Sequence, residues 1–172
     1  MSWSTTPAFR AAPGTRGHHR RELAAGAVVN SEGVFLGCKY AIQGTKKTTP
    51  DKPASKGSIV NLVDRRPDPV PARPTAYTAS KGAVRLLSKS VALYCAEQVA
   101  IRCNSVASGG VDTAIFNPLW QMVGHAQGKA LIGAAIRSGR MAEPSKLGEV
   151  VLWLASERSS FVTGAEFVAD GA

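Results

Sequence analysis

The sequence predicts an α/β protein, and three observations support this. Residues 77–97 carry apolar side chains mostly at helical spacings. Ser58–Leu62 is a short apolar run typical of a buried strand, and Ala100–Val106 alternates as strands do. Both kinds of element therefore occur in one chain of 172 residues, which is long enough for a single domain with a core.

The other elements follow from local patterns. Gly33–Gly44 is predicted to be a helix, and Asn30 just before it is a good N-cap. Pro144 suits a first helical turn and opens a helix to about Ala155, with Val150, Val151, Leu152 and Leu154 inward. Residues 115–137 are loosely helical and apolar. Thr163–Asp170 is predicted to be the last strand.

Tyr77 and Lys81 form the central candidate site. Residues four apart on a helix lie on one face, one turn apart. A free phenol has a pKa of about 10, and a nearby cation stabilises its charged form, which suits acid–base chemistry. The alternative is a surface lysine beside a half-buried tyrosine, which is the commoner meaning of this spacing taken alone.

The composition excludes several classes of protein. A hydrophobic content of 44% and a charged content of 19% are typical of a folded globular protein, and no apolar run is long enough to span a membrane. Three cysteines without a CxxC pair indicate buried thiols in a reducing, cytoplasmic compartment. No histidine has metal-ligand spacing to a Cys or carboxylate, so we expect no metal site.

The net charge of +9 is concentrated in two segments. Residues 1–21 hold four Arg and no acid, and residues 45–73 hold seven Lys and Arg against three Asp. Such segments could bind a polyanion. Because there is no nucleic-acid motif and no aromatic interleaving, nucleic-acid binding is not expected, and a solvated segment is favoured.

Several longer motifs accompany Tyr77 and Lys81. They are VVNSEGVFLGCKYAIQG, GSIVNL, AYTASKGAVRLLSKSVALYCAEQVAIRCNSVASGGVDT and GRMAEPSKLGEVVLWLASERSSFVTGAEFVADG, at residues 28–44, 57–62, 76–113 and 139–171. In this order they resemble the second half of the short-chain dehydrogenase/reductase family, most closely its hydroxysteroid and sugar-alcohol members. The resemblance implies a partial Rossmann-type doubly wound parallel sheet made of the last three strands and their helices.

The resemblance also implies a function: NAD(P)-dependent oxidoreduction of a small secondary alcohol or ketone. Tyr77 would move the substrate proton, Lys81 would bind the nicotinamide ribose, and Asn30 would hold a water in a proton relay. The loop after the strand at 100–106 would meet the nicotinamide, so the implied NAD or NADP contacts are Tyr77, Lys81, Ser108, Gly109, Gly110, Val111 and Thr113. Taken alone, this loop is an ordinary strand-to-helix turn with Thr113 as an N-cap.

Two departures from the family reduce the expected activity. The glycine-rich dinucleotide-binding opening is absent, so we expect a leader at residues 1–25 and a truncated domain at 26–172. Counting 13 positions back from Tyr77, where relatives have a catalytic Ser, gives Asp64. An ionised carboxylate only accepts hydrogen bonds and opposes a nearby phenolate.

Three functions therefore remain open from the sequence. The first is an oxidoreductase of low activity. The second is an inactive fragment that keeps the family's association surface, a homo-oligomer contact through helices 33–44 and 77–97. The third is a polyanion-binding module that uses the two basic segments.

Overall fold

The structure is a computed structural model that describes residues 24, 26–47, 56–64, 75–98 and 100–172. The proposed leader apart from residue 24, and most of the two basic segments, lie outside these residues. The domain division and the polyanion-binding alternative therefore remain predictions.

Three parallel strands form the sheet, in the order β1-β2-β3. They are β1 (Lys56–Asp64), β2 (Ala100–Ser108) and β3 (Glu166–Ala169). This confirms the predicted α/β class with three parallel strands. The first two strands extend two residues beyond their predicted carboxyl ends, and β1 also starts two residues earlier than predicted.

The last strand is shorter than the prediction of Thr163–Asp170. Thr163 and Gly164 already contact β2, because Thr163 Oγ1 accepts a hydrogen bond from the Cys103 N–H and the Gly164 N–H donates to the Cys103 carbonyl. Gly164 has a φ of +70°, which is not an extended conformation. The chain therefore bends there before the regular ladder begins at Glu166.

The helices alternate with the strands. A wide π-helical turn (Ala27–Glu32) runs into α1 (Gly33–Lys46), and α2 spans Thr75–Gln98. A 3₁₀ turn (Ala114–Phe116) precedes α3 (Asn117–Val123) and α4 (His125–Ala134). Then α5 (Pro144–Ala155) and a second 3₁₀ turn (Glu157–Ser159) lead to β3.

Helices cover both faces of β1. Side chains alternate across a strand. Ile59 packs with Ile42 of α1 and Cys95 of α2 in one core cluster, and Val63 packs with Val84 of α2 in another. Ser58 points the other way and donates a hydrogen bond of 2.8 Å to the Leu154 carbonyl of α5.

The apolar side chains whose spacing predicted α2 do not all lie on its buried face, although Val84 does. Leu86 and Leu93 are 69% and 71% exposed. The buried positions carry mostly small side chains at steps of three or four, namely Ser80, Val84, Ser88, Ala92 and Cys95. Small residues let the helix lie close to the sheet, so its larger apolar residues project away from it. In α5 the same correction applies to Leu152, which is 71% exposed whereas Leu154 is buried.

The three cysteines are buried free thiols, as predicted. Asn61 of β1 lies among them and donates to the hydroxyl of Ser88 at 3.0 Å. Burial raises the pKa of the Cys95 thiol. The hydrogen bond to Cys38, together with burial, raises the pKa of Cys103. Within the described part of the chain, no helix is both long and apolar enough to cross a membrane.

Candidate active site

The carboxyl ends of β1 and β2 form one wall of a cavity of about 290 Å³. Asp64 and Ser108 end these two strands and are register partners. Ligand sites in open parallel sheets lie at this end of the strands. Six of the predicted site residues line the cavity: Tyr77, Lys81, Ser108, Gly109, Val111 and Thr113.

Tyr77 and Lys81 share one side of α2, as their spacing predicted. The Lys81 Nζ atom lies 5.8 Å from the centroid of the Tyr77 ring. The same Nζ donates a hydrogen bond of 3.2 Å to the main-chain carbonyl of Leu62 in β1. This exposed bond ties Lys81 to the strand, and Tyr77 is half-buried, so the alternative of a surface lysine beside a half-buried tyrosine stays open.

Asn30 does not line the cavity but is connected to the helix that carries Tyr77. Its Nδ2 donates to the Ser80 hydroxyl at 3.0 Å, and that hydroxyl donates to the Tyr77 carbonyl at 2.7 Å. Asn30 lies inside a continuous helix, because Glu32 and Gly33 both have helical φ and ψ. The N-cap interpretation is therefore wrong. A π-helical turn inside a helix is a rare conformation that is frequent at functional sites.

Asp64 is half-buried and lines the cavity beside Tyr77 and Lys81. Neither Ser80 nor Ser58 supplies the expected hydroxyl donor there, whereas Ser108, the register partner of Asp64, lines the same cavity. The Ser80 hydroxyl already bonds Asn30 and Tyr77, and Ser58 bonds α5 toward the other end of β1. The cavity therefore has a carboxylate where relatives have a hydroxyl.

The loop after β2 contains two glycines whose expected role was close approach to a flat ring. A Cβ on Gly109 would lie 2.7 Å from the Asp170 carbonyl oxygen, and one on Gly110 would lie 3.0 Å from Ile136. Packing against the main chain of Asp170 therefore explains Gly109, whereas the closest contacts of a Cβ on Gly110 would be the ends of isoleucine side chains. Gly110 is not among the residues that line the cavity.

Thr113 is exposed and makes no side-chain cap to the following 3₁₀ turn. Its hydroxyl lies 3.4 Å from the Val111 carbonyl. Thr113 therefore occupies the N-cap position of the alternative interpretation without a capping side-chain bond, and it lines the cavity together with Tyr77 and Lys81.

Comparison with known proteins identifies the family. Residues 15–171 match a family model described as enoyl-(acyl carrier protein) reductase. The NADP-dependent (R)-specific alcohol dehydrogenase of Lentilactobacillus kefiri is 38% identical over 83% of this chain and 54% of its own length. The chain belongs to the short-chain dehydrogenase/reductase family.

Two further comparisons support the assignment of this chain to the short-chain dehydrogenase/reductase family. A 3-alpha-(or 20-beta)-hydroxysteroid dehydrogenase of Mycobacterium bovis is 38% identical over 83% of this chain and 48% of its own length. The solved aldohexose dehydrogenase of Thermoplasma acidophilum superposes with a TM-score of 0.70 at 29% identity, covering 91% of this chain and 59% of its own. The chain spans about half the length of the curated relatives it matches.

The cavity lining of this short-chain dehydrogenase/reductase fits the nicotinamide end of NAD or NADP. Lys81 offers an ammonium group to sugar hydroxyls, and the Thr113 hydroxyl can bond an amide. Apolar side chains complete the wall and suit a flat ring.

Sequence reasoning missed part of this wall. The missed residues are Leu62, Val63, Ile115, Phe116, Pro144 and Leu147. Ile115 and Phe116 were marked only as part of an apolar segment. The helical pattern does not show that the turn at 114–116 is the portion that reaches the cavity. The Leu62 carbonyl that binds Lys81 is a main-chain atom and leaves no sequence signal.

Proposed function

We propose that this chain is an oxidoreductase that uses NAD or NADP to interconvert a small secondary alcohol and a ketone. One observation supports the proposal above all: a single cavity at the carboxyl end of the sheet gathers Tyr77, Lys81 and the loop residues 108–113 apart from Gly110 and Asp112. The alcohol and hydroxysteroid dehydrogenases among the relatives support the same class of substrate.

In the proposed reaction a side chain of the protein transfers the proton. The nicotinamide, when bound, would accept or donate the hydride. The Tyr77 hydroxyl donates its proton to a ketone oxygen, or accepts one from an alcohol. The Lys81 ammonium lies beside the ring and stabilises negative charge on the phenol oxygen. Lys81 would also hold the ribose, and Thr113 with the backbone near Val111 would hold the carboxamide.

Asn30 would act from outside the cavity. Its side chain supports α2 through Ser80, three residues after Tyr77, and the π-helical turn alters the backbone around it. A proton relay from Lys81 toward Asn30 is part of the proposal. Support for it comes from the position of Asn30 against the helix that carries the catalytic pair.

We expect low turnover, because Asp64 lines the cavity in place of a hydroxyl donor. A carboxylate cannot donate to the substrate carbonyl, and its charge opposes the phenolate of Tyr77. An inactive chain that keeps only the association surface is therefore the second candidate.

The experiment is a turnover assay with NADH and NADPH against secondary alcohols and ketones, including sterols. Tyr77→Phe removes only the hydroxyl, and we expect a fall of about a hundredfold or more if that group moves the proton. Fluorescence titration of both reduced nucleotides measures binding separately and should be little changed by this substitution.

Tyr40→Phe is the matched control. Tyr40 is 61% exposed on α1 and has its own lysine, because the Lys39 Nζ lies 5.6 Å from its ring centroid. Loss of this second hydroxyl should leave turnover unchanged. Equal turnover in wild type and Tyr77→Phe would refute the proposed role of Tyr77. Absence of turnover with detectable nucleotide binding would favour the inactive candidate.

We also propose that a second copy of this chain covers the outer surface of α1 and α2. Large apolar side chains are exposed on these helices: Phe35, Leu36, Leu86, Leu93 and Tyr94. Two of them, Phe35 and Tyr94, line a groove of about 510 Å³ between the helices, together with Cys38, Ile42 and Leu87. Exposed apolar patches of this kind mark protein contacts.

Leu93→Glu tests this surface, with Leu152→Glu as its control. Both leucines are 71% exposed, but Leu93 lies on α2 whereas Leu152 lies on α5, outside the proposed contact surface. Sedimentation should show dissociation with Leu93→Glu and no change with Leu152→Glu. A wild-type chain that is monomeric at high concentration would contradict the proposal.

A further inference from the structure

A cluster of charged side chains joins three segments next to the candidate cavity. It consists of Asp112, His125, Lys129 and Glu143, which we call the Asp112 clasp. The Asp112 carboxylate lies 3.0 and 3.1 Å from His125 Nε2 and 2.9 Å from Lys129 Nζ. The same Nζ lies 2.6 Å from the Glu143 carboxylate.

The members of the clasp lie on different parts of the cavity's surroundings. Asp112 stands between Val111 and Thr113, which both line the cavity. His125 and Lys129 are one turn apart on α4. Glu143 immediately precedes Pro144, another lining residue at the start of α5. The clasp therefore ties α4 to the two paired segments, at 111–113 and 143–144, that border the cavity.

A chain of ring contacts continues from the clasp to the cavity. The His125 ring meets Trp120 edge-on at 5.1 Å, and Trp120 lies 5.5 Å from the ring of Phe116. Phe116 lines the cavity beside Ile115. The position of His125 therefore affects, through Trp120 and Phe116, the position of the turn at 114–116.

Main-chain hydrogen bonds join the loop that carries Asp112 to the segment before α5, and these bonds do not depend on the charged side chains. The Asp112 N–H donates to the Ala142 carbonyl at 3.0 Å, and the Ala142 N–H donates to the Gly110 carbonyl at 2.9 Å. The loop and the segment before α5 therefore stay paired when the carboxylate is changed. The side chains of the clasp add the connection to α4.

We propose that Asp112 is a positioning residue: by holding His125 and Lys129, its carboxylate keeps α3, α4 and the turn at 114–116 seated against the cavity. The side chain of Asp112 is only 13% exposed and contacts both the Lys129 ammonium and the His125 ring. The expected effect of Asp112 on substrate affinity rests on the proposed function. Its expected effect on the conformational order of residues 114–134 does not.

The test combines limited proteolysis with kinetics on Asp112→Asn, Lys129→Met and the double variant. Chymotrypsin cleavage within residues 116–131 should become about threefold to fivefold faster in Asp112→Asn, a size typical of lost ion pairs near the surface. Cleavage after the fully exposed Phe161 provides an internal reference. The double variant should fall short of the sum of the single effects, because Asp112 and Lys129 act as one unit.

Glu149→Gln is the matched control. It breaks the exposed side-chain pair of Lys146 and Glu149 on α5, 3.1 Å apart, and neither residue lines the cavity. Cleavage should be unchanged. Unchanged cleavage in Asp112→Asn would overturn the proposal.

Kinetics separates the clasp from the proposed function. In an active enzyme, Asp112→Asn should raise KM for the ketone about threefold while kcat changes little, because binding must order the loosened segment. An unchanged KM alongside faster cleavage would overturn the positioning role. Faster cleavage in a chain that shows no turnover even as wild type would support the clasp and reject the proposed function.

Discussion

Asp64 and Ser108 are register partners at the carboxyl ends of two parallel strands, and both line the cavity that holds Tyr77. The pairing places a carboxylate and a hydroxyl side by side at the site of the proposed chemistry. A proton-donating group next to the substrate oxygen is worth far more in a partly closed site than in water. The identity of residue 64 therefore controls the expected rate.

Asp64→Ser should raise turnover. The substitution removes the charge that opposes the Tyr77 phenolate and supplies a hydroxyl donor, and we expect a gain of about tenfold or more. Asp64→Ala is the control that removes the charge without adding a donor. The order Ser above Ala above Asp is the expected result in steady-state assays, and equal rates in all three would contradict it.

Ser80→Ala should loosen the connection between Asn30 and α2. Ser80 is 4% exposed, and its hydroxyl is bonded to Asn30 and to the Tyr77 carbonyl. Loss of the acceptor for Asn30 should lower the free energy of unfolding by about 1–2 kcal/mol in urea titrations. Ser90→Ala, an exposed change on the same helix, should be neutral or slightly stabilising. Similar effects of both changes would show that the bonds to Ser80 are unimportant.

Gly109→Ala and Gly148→Ala should have opposite effects on stability. A Cβ at position 109 meets Asp170 at 2.7–2.8 Å, whereas one at position 148 on α5 meets nothing within 4 Å. We expect Gly109→Ala to cost about 1–3 kcal/mol. Gly148→Ala should add about 0.5–1 kcal/mol, because alanine is the better helix former.

Thermal unfolding of both variants checks this pair of expectations. A stable Gly109→Ala protein that has lost only nucleotide binding would show that the cofactor, and not Asp170, requires the glycine.

The acid stability of the chain should depend on Asp112. Lys129 and then His125 hold the pKa of this carboxyl below its ordinary value of 3.8 through their hydrogen bonds. A folded-state pKa below the unfolded one means that the stabilisation is complete above 3.8 and is lost as pH falls through the lower folded value. Asp112→Asn should therefore lower Tm above about pH 5 and make little difference in stronger acid.

The measurement is Tm against pH for two chains that differ only by Asp112→Asn. Both chains carry His125→Gln, so that the imidazole does not titrate. A Tm difference that stays constant down to the acid limit would contradict the prediction.

The sequence was a good guide wherever a pattern is local. The spacing of Tyr77 and Lys81 predicted their proximity on α2, because helical geometry alone brings residues four apart together. The apolar runs predicted three strands, and the motif order predicted that they are parallel. Pro144 marked the start of α5 correctly, since its fixed φ suits a first turn.

The sequence was a poor guide to which side chains are buried in a helix that carries apolar residues on more than one face. Leu86 and Leu93 are apolar at helical spacing, yet they are exposed, because Ser80, Val84 and Ser88 fit closer to the sheet. A periodicity shows that a helix has an apolar side, but the neighbouring elements decide which side is buried. These exposed leucines belong to the surface that we propose contacts a second copy of this chain.

By itself, then, the sequence determined the family, the order of its parallel strands, and the pairing of a phenol with an amine on one helical face. The tertiary structure alone decided that Ser108 stands beside Asp64 in the cavity, that Gly109 lies against Asp170, and that Asp112 binds α4. The physical reason is distance along the chain. Contacts between residues close in sequence follow from backbone geometry, whereas contacts between distant residues depend on how whole elements pack.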